Sequence, residues 1–167
     1  MAAGDVKIAY AASANLVVTN LASLAASATW VAGWESALVD NTSNLYLDYL
    51  LSGKITVGNG PTAGQIRVYV IAMLDDSNWP DVLDGTESAE TISSVMTRDN
   101  ICKLGAVISP DTTADAVYYF GPFSVANLFG GKCPAKFVVF ITHSLVQALA
   151  AAGQQVTQKG VYDTVAQ

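Results

Sequence analysis

Few side chains in this sequence have the chemistry of a catalyst, and they are scattered. There is one histidine, His143, and there are two cysteines, Cys102 and Cys133. Ser, His and Asp all occur, but no GxSxG elbow presents a serine nucleophile. His143 closes an apolar run beside Thr142 and Ser144, where a structural hydrogen bond is its expected role. A single histidine without a cysteine cluster makes no zinc site. The cysteines belong to no CxxC pair, so they read as free thiols acting as small hydrophobes. The expectation is a protein that is not an enzyme and needs no metal or cofactor.

Two other groupings invite a binding reading. Asp75, Asp76, Asp81, Asp84, Glu87 and Glu90 fall in one stretch, and calcium wants several oxygen ligands on a loop. Trp79-Pro80 interrupts that stretch and the DxDxDG spacing is missing, so a solvated loop is expected. Gly58-Asn59-Gly60-Pro61 precedes no Lys-Ser/Thr, so it reads as a turn rather than a phosphate cradle. The aromatic set Trp30, Trp34, Trp79, Tyr46, Tyr69, Tyr118 and Tyr119 offers stacking faces for sugars. Its ordinary use is to fill a core or an interface.

The elements that must position these residues read as all-β. Runs rich in Val, Ile, Tyr, Phe and Thr, bounded by Gly, Pro, Asn and Asp, mark strands. They cover Asn15–Thr19, Trp34–Val39, Leu45–Val57, Gln65–Leu74, Ile101–Ile108, Ala116–Ser124, Lys136–His143 and Gln154–Val165. About eight antiparallel strands without a βαβ rhythm predict a single β-sandwich of jelly-roll type. In Gln65–Leu74, Ile66, Val68, Val70 and Ala72 share one face. Phe137–Ile141 is apolar on both faces, as for a central strand or one whose outer face meets a partner. Gly121-Pro122 predicts a bulge, bend or edge. Leu21–Ala28 and Ser144–Ala152 read as loops or single turns. Residues 1–34 read as an extended N-terminal arm or first strand, and residues 35–167 as the sandwich domain.

Charge is the unusual quantity. Charged residues make up 13% of the chain, against about 25% for an ordinary soluble domain. Mean hydropathy is +0.36. No charged residue lies between Ile8 and Trp34, and between Phe137 and Gln158 only His143 can carry a charge. Large apolar patches are rare on monomers, so part of this surface is expected to be covered by other protein. The net charge of -6 argues against nucleic acid, which requires a basic footprint. It argues equally against an anionic membrane surface. The uncharged N-terminal stretch is broken by Asn15, Thr19, Asn20, Ser23 and Ser27, so no transmembrane helix is expected. Met1–Asp5 has no basic n-region and predicts no signal peptide.

Several stretches taken together look familiar. They are Asp40–Tyr49, Gly53–Gly58, Gln65–Val70, Tyr118–Val125 and Gly160–Val165. Over roughly residues 35–167 the chain resembles small virion structural proteins of tailed bacteriophages, particularly head decoration (cement) and related jelly-roll proteins. The resemblance implies a virion protein made in the host cytoplasm. It would bind the major capsid protein or another virion protein, together with copies of itself, and staple the assembled head. It carries over no functional residue. The candidate assembly contacts come from the missing charge: Leu16, Val17, Val18, Leu21, Leu24, Trp30 and Trp34. A tail or adaptor subunit is an alternative within the same class. A carbohydrate- or receptor-binding module is another, with weak glycan binding, and it predicts an exposed Trp79 or Tyr69 and a functional loop at 75–90.

Overall fold

The computed structural model describes residues 5–60 and 64–165. Met1–Gly4 of the signal-peptide reading and Pro61 of the predicted turn lie outside the described residues. The elements run β1 (Val6–Tyr10), β2 (Ala14–Asn15), β3 (Ala32–Glu35), β4 (Val39–Asp40), β5 (Asp48–Thr56) and β6 (Ile66–Ala72). Then follow β7 (Ser88–Thr91), α1 (Val95–Ile101), β8 (Lys103–Ile108), β9 (Val117–Ser124), α2 (Val125–Leu128), β10 (Lys136–His143) and β11 (Gln155–Val165).

Two antiparallel sheets face each other. The first has the order β1-β11-β5-β9, with β2 also on β11. The second has the order β7-β3-β10-β6-β8, with β4 also on β10. The chain crosses between sheets from β2 to β3, β4 to β5, β5 to β6, β8 to β9, β9 to β10 and β10 to β11. The expected all-β sandwich is the architecture found, and this interleaving is of the jelly-roll kind rather than a meander.

Alternation explains the core. Leu51, Ile55 and Val156 of the first sheet meet Val68, Val70, Val139 and Ile141 of the second. The β6 face foreseen from the sequence, Ile66, Val68 and Val70, points into this layer. Val138 and Phe140 on β10, with Tyr69 and Ile71 on β6, point the other way and are also buried. Their cover is the segment between β6 and β8, which contributes Leu83, Ile92 and Cys102. The double-sided apolar character of β10 therefore comes from a central position under the chain's own excursion.

Of the two readings of the N-terminal stretch, extended arm or first strand, the structure has the strand, at a sheet edge. β1 pairs along β11 from Val6↔Val165 to Tyr10↔Val161, and β2 pairs with Thr157 and Gln158. Residues 16–31 then cross to the second sheet, where β3 joins β10 and β7. Leu16, Leu21 and Leu24 fill the main core on the way. The boundary expected at residue 34/35 falls inside β3. Burial within the chain accounts for the missing charge at Leu16, Leu21, Leu24 and Ser27, whereas Ser13, Asn15, Thr19, Asn20 and Thr29 are exposed and carry uncharged polar side chains.

Local chemistry sets several boundaries. Gly121 has φ +73, and a Cβ there would run into the Leu51 carbonyl, so only glycine fits. This is where β9, an edge strand, shifts register against β5, as the Gly-Pro pair predicted. α1 was not foreseen, since β-branched Val95 and Thr97 are weak helix formers. It starts because Ser94 accepts a hydrogen bond from the Thr97 amide at 3.0 Å. Among the described residues, no helix is long and apolar enough to cross a membrane.

Candidate functional site

The two outer faces of the sandwich differ in kind. The outer face of the second sheet is closed by residues 73–101, and carboxylates clasp that cover down. Glu87 accepts from the Trp34 indole at 2.6 Å and from the Asn20 amide and side chain, each at 2.7 Å. Glu35 Oε1 accepts from the Gly85 amide at 2.8 Å and from the Asp84 amide at 3.3 Å. Asp81 accepts from the Ser93 amide at 2.7 Å, and Asp75 from the Ser77 and Asn78 amides, both at 2.8 Å. Glu35 and Glu87 thus tie the cover to β3 and Asn20, while Asp75 and Asp81 brace backbone inside the cover. Among the described residues no group of three or more His, Cys, Asp or Glu side chains is placed to hold a metal ion.

Glu35 is the most perturbed of these acids. It is completely buried, and its Oε2 has no hydrogen-bond partner. Burial pushes its pKa up to about 7, against the pull of the Gly85 and Asp84 amides.

The outer face of the first sheet has no such cover. Alternate residues of β1 project onto it, and Val6, Ile8 and Tyr10 are 67%, 68% and 55% exposed. Val165, opposite Val6, is also exposed. Among the described residues β1 is paired with strands on one side only, so it forms the edge of its sheet. Across β11 and β5 the face turns polar, through Asn15, Ser52, Lys54, Gln155, Thr157 and Lys159, and ends at the exposed Tyr119 on β9.

The residues proposed as assembly contacts are not brought together on a surface. Leu16, Leu21, Leu24 and Trp34 are core, and Val18 packs against it. Val17 is exposed. Trp30 is half-buried, with the Arg67 guanidinium 4.0 Å from its ring centre. While Leu45, Leu74, Met96 and Val146 are exposed elsewhere, Val6, Ile8, Tyr10 and Val165 instead lie together on paired strands as an exposed apolar group. Its signal was present as the alternation Val6-Lys7-Ile8-Ala9-Tyr10, a half-buried strand pattern that the chargeless run beginning at Ile8 masked.

The chain matches no family model, no curated protein and no solved structure.

The chemical candidates are placed as plainly. His143 is buried, and its Nε2 lies 2.9 Å from the Leu24 carbonyl oxygen. A carbonyl only accepts, so Nε2 carries the proton of the neutral ring. Burial lowers the His143 pKa, which favours that neutral form. The ring ties the 16–31 segment to β10. Cys102 and Cys133 are free, and burial pushes their thiols up to about 12 and about 11. Such thiols are poor nucleophiles at neutral pH. Of the aromatics, Tyr69 is buried and Trp79 is half-buried against the second cluster. The exposure that the carbohydrate reading expected of them is not found. Tyr118 is held by Asp111 at 2.6 Å, while Tyr119 beside it is 75% exposed.

Proposed function

We propose that this protein is a non-enzymatic structural subunit of a phage virion, of the capsid-decoration type, working by packing rather than by chemistry. The observation that carries the reading is the apolar rim of the bare face: Val6, Ile8, Tyr10 and Val165 at the β1 edge of its sheet. An edge strand with exposed alternate hydrophobics is built to accept another strand or sheet. Low overall charge lets such contacts desolvate without stranding ions. The resemblance of residues 35–167 to head decoration proteins supplies the virion context. Its partners in this reading are further copies of itself and the capsid lattice.

Light scattering on a sizing column, across a range of concentrations, tests the packing surface. The wild-type chain is expected as a discrete oligomer, and Ile8→Lys as a smaller species with unchanged circular dichroism. A monomer at every concentration that also fails to pellet with assembled heads would sink the proposal.

A further inference from the structure

We propose that the polar half of the bare face binds an extended anionic polysaccharide, a chain of sugars bearing ring carboxylates. This half shares Tyr10 with the β1 rim, but its binding role does not depend on the packing role. Two shallow depressions, of about 320 and 350 Å³, lie side by side on the first sheet and share Ser52 and Thr157. Together they form an open trough, a shape that suits a chain lying across strands rather than a compact ligand.

The lining has the three features a carboxylated sugar requires. The first is an aromatic face. Tyr119 is 75% exposed and projects from β9 opposite Lys54, so its ring is free to stack on a pyranose. Tyr10 stands at the other end of the trough. The second is a fixed set of hydrogen-bonding groups. Asn15 Oδ1 accepts from Thr157 Oγ1 at 2.9 Å and from Gln155 Nε2 at 3.1 Å, which holds these side chains in place before a ligand arrives.

The third feature is the sign of the charge. Lys54 and Lys159 line the trough, and no carboxylate does. Among the described residues the one ion pair joins Arg98 to Asp99, so neither lysine is neutralised by a salt bridge. The acids that make the chain negative overall are concentrated in the 75–90 cover, on the second sheet. Neutral sugars would stack on Tyr119 but leave the Lys54 ammonium without a counterpart and that of Lys159 with only the Tyr10 ring, 5.4 Å from its centre. A uronate chain uses the rings, the hydroxyl partners and the lysines together.

Calorimetric titration of the full chain with polygalacturonate tests this, with methyl-esterified polygalacturonate and polyphosphate as controls. Saturable binding to polygalacturonate is expected. It should weaken about tenfold on esterification and in the Lys54→Ala/Lys159→Ala double variant. Tyr119→Ala should lose about 2- to 10-fold with an unchanged melting temperature, because the ring packs on little. Absence of saturable binding would overturn the proposal. So would polyphosphate binding as tight as polygalacturonate with Tyr119→Ala unaffected, since charge alone would then explain it. A monomer in light scattering would count against the assembly reading and leave this one standing.

Discussion

The two sheets of this sandwich solve the same problem in opposite ways. Each has an inner face in the common core and an outer face that must meet something. On the second sheet the outer face is apolar, through Tyr69, Ile71, Val138 and Phe140, and the chain covers it with its own segment. On the first sheet the outer face is mixed, with an apolar rim and a polar centre, and the chain leaves it open. Six of the fourteen acids lie in the 75–90 stretch of the cover and none lines the open trough, although Asp163 stands opposite Ile8 at the rim of the open face. An apolar outer face thus marks a surface the chain has already closed. An open face carries its function in the mixture of exposed apolar, aromatic and cationic groups.

The sharpest way to break this comparison is to remove the N-terminal segment. An extended arm would leave a folded domain after deletion of residues 1–28. Here the deletion takes away Leu16, Leu21 and Leu24, all buried. Each is worth about 1.5–3 kcal/mol of burial, and their sum is comparable to the whole stability of a typical domain, about 5–15 kcal/mol. The truncated chain is expected to be unfolded by circular dichroism. A cooperative melt would restore the arm.

Single substitutions on the two faces come next. Phe140→Ala under the cover should cost about 3–5 kcal/mol in urea unfolding, as for a buried aromatic. Ile8→Ala on the open face should change stability by less than about 0.5 kcal/mol. Equal costs would mean the open face is as well packed as the covered one.

A subtler probe is the buried clasp at Glu35. Its pKa is raised from the ordinary 4.5 to about 7. Between those values the folded chain keeps a proton that the unfolded chain has released. Its contribution is therefore complete below pH 4.5 and is lost as pH rises toward about 7, by at most about 3 kcal/mol. Glu35→Gln should flatten that part of the stability–pH profile, measured by urea midpoints at successive pH values. His143 works in the opposite direction. Its lowered pKa makes its contribution complete above the ordinary 6.5 and smaller as pH falls below it. A profile identical in wild type and Glu35→Gln would show that the carboxyl is hydrated rather than buried.

The most local effect is expected at Glu87. Glu87→Ala removes the acceptor for Trp34 and Asn20 and should cost about 1–3 kcal/mol. Hydrogen exchange should rise first at β7 and the 16–31 segment, with β10 protected. Uniform acceleration across both sheets would show that the cover and core open as one unit.

Much of the fold was legible because its signals are local. Period-two alternation in Gln65–Leu74, turn residues such as Gly121-Pro122, and the rhythm of short β-rich runs declare strands without reference to the rest of the chain. β7 was not legible, because Ser88-Ala89-Glu90-Thr91 is a polar edge strand that exists through its pairing with β3. The candidate site was less legible still. Tyr118 and Tyr119 are identical in the sequence, and the pleat of β9 alone sends one toward Asp111 and the other into solvent.

The sequence by itself determined the class of architecture, the inert cysteines and the absence of catalytic motifs, because periodicity and residue chemistry are properties of short stretches. It also determined that charge would be scarce and concentrated at 75–90. Only the tertiary structure decided what the scarcity meant. The same chargeless run that would suit an interface arm pairs through β1 and β2 with β11 and drops Leu16, Leu21 and Leu24 into the core, with more of its residues exposed than buried. Burial inside the chain and burial against a partner impose the same desolvation on a residue, so composition alone does not separate them. Strand pairing does, by fixing which neighbours each face meets.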